Sequence, residues 1–111
     1  MLRFKPEVRI GHMNAPLARA LELASLWSLE ARTDVIVNSI RDSAPGRVAS
    51  SLHPFDLAVD LEPLGNAQSE RQSLAEYFRR HAEAGYDVVF EESHVHIEWD
   101  VHRAPLTMIG G

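Results

Sequence analysis

Leu57-Ala58-Val59-Asp60-Leu61 alternates without a break. Successive side chains on a strand point to opposite faces, so Leu57, Val59 and Leu61 share one face while Ala58 and Asp60 share the other. His94-Val95-His96-Ile97-Glu98-Trp99 repeats the pattern near the end of the chain. Val95, Ile97 and Trp99 form a face that can be buried, and His94, His96 and Glu98 stand opposite it. Placed near each other in one sheet, these two strands bring Asp60 and His96 together while both apolar sets face the core.

Working outward, the first strand is expected over His53–Leu61, ended by Pro63, Gly65 and Asn66. Residues 40–52, with Asp42, Ser43, Pro45 and Gly46, read as a loop, and the β-branched run Thr33–Ser39 before it reads as a strand inside the sheet. Leu17, Ala20, Leu21, Ala24, Trp27 and Ala31 recur at three- and four-residue spacing after Asn14 and Pro16, which predicts an amphipathic helix to about Arg32. A second helix is expected over 67–84, with Leu74, Tyr77, Phe78 and His81 on one face and Gly85 as its C-terminal cap. Asp87–Phe90 and His94–Trp99 then read as two strands joined by a polar turn at Glu91-Glu92-Ser93. Residues 1–13, with the short run Val8-Arg9-Ile10, read as an extended arm with one short edge strand. Residues 101–111 read as a tail. The order predicts an α+β fold: a small, mostly antiparallel sheet with two helices packed on one face, in a single domain over 1–111.

At 111 residues, 45% hydrophobic and 24% charged, the chain has the composition of one globular domain. Its net charge of −5 and pI near 5.6 argue against nucleic acid as a partner, since such binding depends on neutralising phosphates. No apolar stretch is long enough to span a membrane, and the first residues lack the pattern of a signal peptide. The expected setting is a cytoplasm. With no Cys in the chain, a metal site has to use His, Asp and Glu.

The chemistry-bearing pattern is Ser51-x-His53-x-x-Asp56-x-Ala58-x-Asp60 followed by His94-x-His96. Asp60 and His96 converge if the strands are neighbours, and His53 can close a set of two imidazoles and one carboxylate. That donor set, with an open fourth position, is the arrangement of a catalytic zinc centre. A solvated sheet face carrying an H-x-H pair is the ordinary alternative.

Ser51-Leu52-His53-Pro54-Phe55-Asp56-Leu57-Ala58-Val59-Asp60 resembles the SxHxxGxAxD signature of the M15 zinc D,D-peptidases. That family includes D-alanyl-D-alanine carboxypeptidases and phage L-alanyl-D-glutamate endolysins, and it shares its fold with the Hedgehog signalling domain. Tyr86–Trp99 is similar to the closing strands of its small phage members. The resemblance covers roughly residues 33–100. It implies a Hedgehog/D,D-peptidase-like fold, Zn2+ bound by His53, Asp60 and His96, and His94 beside the metal. It also implies an upstream arginine that engages substrate, for which Arg41 is the first candidate and Arg47 the second. Three positions depart from the family pattern: Asp56 replaces the signature glycine, Arg47 stands where small members carry His, and Ser93 stands where the general base is expected. Glu92 and then Glu91 are the candidates to supply the missing carboxylate, and Glu98 is expected to hydrogen-bond a ligand histidine.

Two functions follow from the resemblance. One is a zinc peptidase cutting peptidoglycan stem peptides, phage-derived and released by lysis or carried in a particle. The other is a catalytically silent relative, with or without zinc, that serves as a structural component among other phage virion proteins.

Overall fold

The computed structural model describes residues 1–8, 15–42 and 57–99. Along the chain these form β1 (Leu2–Phe4), α1 (Ala15–Ala31), β2 (Val35–Asp42), β3 (Leu57–Pro63), α2 (Gln68–His81), β4 (Tyr86–Phe90) and β5 (Val95–Trp99). The five strands make one sheet in the order β1-β2-β3-β5-β4. Only β1 and β2 run parallel; the β2–β3, β3–β5 and β5–β4 pairs are antiparallel. The fold is therefore α+β, as the order of elements predicts.

Alternation sorts the sheet into two faces. Val35, Val37, Leu57, Val59, Leu61, Val95 and Ile97 are fully buried together with Leu17, Leu23, Leu74 and Phe78 of the helices. Both helices thus cover the same face, and Trp27 Nε1 donates to Ser73 Oγ at 3.0 Å where they meet. The opposite face carries Ser39 and Arg41 of β2, Asp60 and Glu62 of β3, and His96 and Glu98 of β5. Among the described residues, no helix is long and apolar enough to cross a membrane.

Several boundaries differ from the sequence reading. Leu2–Phe4 forms an edge strand, and of the run Val8-Arg9-Ile10 only Val8 lies within the described residues. β2 continues through Ile40, Arg41 and Asp42, the start of the expected loop, because Ile40, Arg41 and Asp42 pair with Val59, Ala58 and Leu57. β3 runs through Pro63, which is buried opposite Val35 and needs no N–H there. α2 stops at His81 rather than near 84: Ala82 is extended, and its N–H still reaches Phe78 O at 2.8 Å. Gly85 is thus not the cap. It has φ 110°, a left-handed value that suits glycine, in the turn that leads into β4. On α2 the buried face is Arg71, Leu74, Ala75 and Phe78, whereas His81 is exposed and lies against Tyr77 with ring centroids 4.3 Å apart. The expected Asn14 cap and the 101–111 tail lie outside the described residues.

Phe78 sits at 0% exposure between α2 and the sheet, so Phe78→Ala should lower the unfolding free energy by about 3–5 kcal/mol. Leu29, 72% exposed on α1, should tolerate the same truncation within about 0.5 kcal/mol. Urea denaturation of the two variants checks the contrast, with Phe78→Ala shifting the midpoint at an unchanged slope.

Candidate metal centre

β3 and β5 set the centre. Asp60 and His96 are direct cross-strand partners, as are Val59 and Ile97 on the buried side. His96 Nδ1 lies 2.6 Å from Asp60 Oδ1, and its Nε2 lies 2.9 Å from Glu98 Oε1. His94, just before β5, brings its Nε2 to 3.5 Å from the same Asp60 Oδ1, while its Nδ1 meets Ser93 Oγ at 2.9 Å. Ser39 Oγ donates to Asp60 Oδ2 at 2.9 Å. One ligand atom each from Asp60, His94 and His96 lies within 4.8 Å of the others, so this group can hold a metal ion.

Asp60 and His96 meet as the alternation requires, and Glu98 takes the histidine-holding place expected of it. Arg41 is exposed on β2, opposite Ala58 and on the same face as Asp60. Glu91 and Glu92 are exposed in the β4–β5 turn, where the Glu91 N–H donates to His94 O at 3.0 Å. Among the described residues, neither of their side chains bonds to the centre. His53, Arg47, Ser51 and Asp56 lie outside the described residues.

Ser39 is the participant that sequence reasoning missed. The β2–β3 register shifts between Val37 and Ser39, so the extra residue Asn38 changes the parity of the strand. Simple alternation from Val35 and Val37 puts Ser39 in the core. The bulge turns it to Asp60 instead, and Asn38 Nδ2 donates to Glu62 Oε1 at 2.9 Å beside it.

Burial alone lowers the pKa of His96, but hydrogen bonds to Asp60 and Glu98 outweigh it and hold the imidazole above its ordinary value of 6.5. When protonated, His96 places a positive charge between the two carboxylates. Metal binding has to displace that proton, so affinity falls as pH drops through the histidine range.

The sign of the stability effect follows. A histidine whose folded pKa exceeds the unfolded value stabilises fully below about 6.5, and that contribution is lost as pH rises through the higher folded value. In chelator-treated protein, the His96 ring titration followed by NMR should have its midpoint above 6.5, and Glu98→Gln should lower it. A midpoint at or below 6.5 in the unsubstituted protein contradicts the clamp between the two carboxylates.

The chain matches no protein-family model, no curated protein and no solved structure. Its chemistry is therefore read from Asp60, His94, His96 and the groups that hold them.

Proposed function

We propose that the chain is a zinc-dependent peptidase acting on the amide bonds of peptidoglycan stem peptides, of the M15 type and of phage origin. The observation that carries this reading is the convergence of one carboxylate and two imidazoles, Asp60, His94 and His96, on the face of the sheet opposite the helices, where β3 and β5 run antiparallel. The motif from Ser51 to Asp60 supports it and nominates His53 as a further donor.

Oxygen and nitrogen donors in this ratio suit zinc. When bound, that ion supplies an acidified water and polarises the scissile carbonyl. Asp60 contributes the negative charge of the donor set, and Glu98 fixes the His96 ring by holding its far nitrogen. Arg41, exposed on the same face, is suited to hold a substrate carboxylate or the developing oxyanion. Glu92, with Glu91 beside it, is the carboxylate in the turn that takes the proton. Synthesis in a bacterial cytoplasm and release by lysis, or carriage in a particle, fit this activity.

One observation favours a second reading, a silent relative serving as a virion component. At the place where the resemblance calls for a carboxylate base, Ser93 bonds to His94, and Glu91 and Glu92 both face solvent.

Metal analysis paired with digestion of purified cell-wall sacculi tests both. The peptidase reading expects about one equivalent of zinc and new muropeptide termini, with Glu92→Gln cutting the rate roughly 10²-fold or more while zinc stays bound. A silent unsubstituted protein that gains hydrolysis on Ser93→Asp supports the second reading. Protein that neither binds zinc nor cleaves sacculi, with or without Ser93→Asp, refutes the peptidase.

A further inference from the structure

We infer that His94, buttressed by Ser93, is itself a ligand of the metal, so that Asp60 Oδ1, His94 Nε2 and His96 Nδ1 form the donor set and Ser93 is a positioning residue. This rests on the metal-centre reading above and assigns a role to the serine that replaces the expected base.

The argument lies in the atoms turned away from the common point. Each of the three side chains has a second polar atom, and each of these is held by a different group. Asp60 Oδ2 is held by Ser39, His94 Nδ1 by Ser93 and His96 Nε2 by Glu98. One protonation pattern that satisfies all three contacts also frees the inner atoms for a cation. The Ser39 hydroxyl donates to Asp60, His94 Nδ1–H donates to Ser93 Oγ, and His96 Nε2–H donates to Glu98. It leaves lone pairs on Asp60 Oδ1, His94 Nε2 and His96 Nδ1, the atoms that face one another. Fixing a ligand's tautomer through its far nitrogen is the usual way a protein orients a metal-bound histidine.

The distances fit. Zinc bonds of about 2.0–2.1 Å in a tetrahedron separate two ligand atoms by roughly 3.3 Å. Asp60 Oδ1 and His94 Nε2 already stand 3.5 Å apart. Asp60 Oδ1 and His96 Nδ1, at 2.6 Å, share a proton and have to part by less than about 1 Å when a cation replaces it. The three side chains are 22%, 25% and 18% exposed, so His94 is sheltered to nearly the same degree as its neighbours. A histidine that only faced solvent from a turn gives no reason for that shelter or for a directed contact on each nitrogen.

The test is titration of the full chain with Co2+ and Zn2+ under chelator competition, together with the visible spectrum of the cobalt form. His94→Ala should weaken binding at least a hundredfold and change the cobalt bands. Ser93→Ala should weaken it about ten- to hundredfold, and Ser93→Thr, which keeps the hydroxyl, should restore it. Nitrogen-15 NMR of the zinc-loaded unsubstituted chain should find His94 protonated on Nδ1 and metal-shifted on Nε2, a readout that needs no variant to fold. Binding in His94→Ala and Ser93→Ala equal to the unsubstituted chain, or a His94 ring unshifted by zinc, overturns the inference while leaving a metal centre in place. Absence of any metal binding overturns the centre and the inference together. Dependence on His94 without cleavage of sacculi upholds the inference and removes only the peptidase.

Discussion

The register of β3 against β5 governs everything else in the molecule. Leu57, Val59 and Leu61 meet Trp99, Ile97 and Val95 on one face, and the same pairing sets Asp60 against His96 on the other. A slip of one residue in either strand sends its buried set to solvent and its polar set to the core. Full burial of each such side chain is worth roughly 1.5–3 kcal/mol, whereas a typical hydrogen bond nets about 1 kcal/mol. The apolar face therefore decides the register, and the polar face inherits its geometry. Packing two helices on the far side of the sheet is thus also what aligns the carboxylate with the imidazoles.

That division explains what the sequence makes legible. Both strands of the decisive pair alternate strictly, so their faces, the helices that cover them and the meeting of Asp60 with His96 can be read in advance. Ends of elements are harder because they depend on partners far along the chain. Ile40 and Arg41 belong to β2 only because β3 offers them a ladder. Nothing in Ala82-Glu83-Ala84 opposes helix by propensity. α2 ends there while Arg19 grips Glu83 at 2.7 Å and the Tyr86 hydroxyl reaches Pro16 O at 2.7 Å, drawing the chain toward α1.

The centre divides the same way. Glu98 beside His96 is a matter of spacing on one strand and is visible in the sequence. The approach of His94 depends on how the chain leaves the β4–β5 turn, which residue spacing does not specify. Ser39 is hidden more deeply, because its position depends on a break in the alternation and no residue type there announces one.

The bulge at Asn38 has a consequence for how such a chain can change in length. Turns between strands absorb gained or lost residues with little effect on the faces they connect, since loop length carries only a small entropic cost. β2 has that freedom only at the bulge, because its first half is phased to the core by Val35 and Val37 and its second half to the polar face by Ser39. The surplus residue acts as a half-period phase shift between two signals carried on one strand. Removing Asn38 restores plain alternation, so Ser39 stays opposite Asp60 and Ile40 stays toward the core, and the Asn38–Glu62 bond is what is lost. A single codon lost at this point therefore leaves the chemistry of the sheet in place.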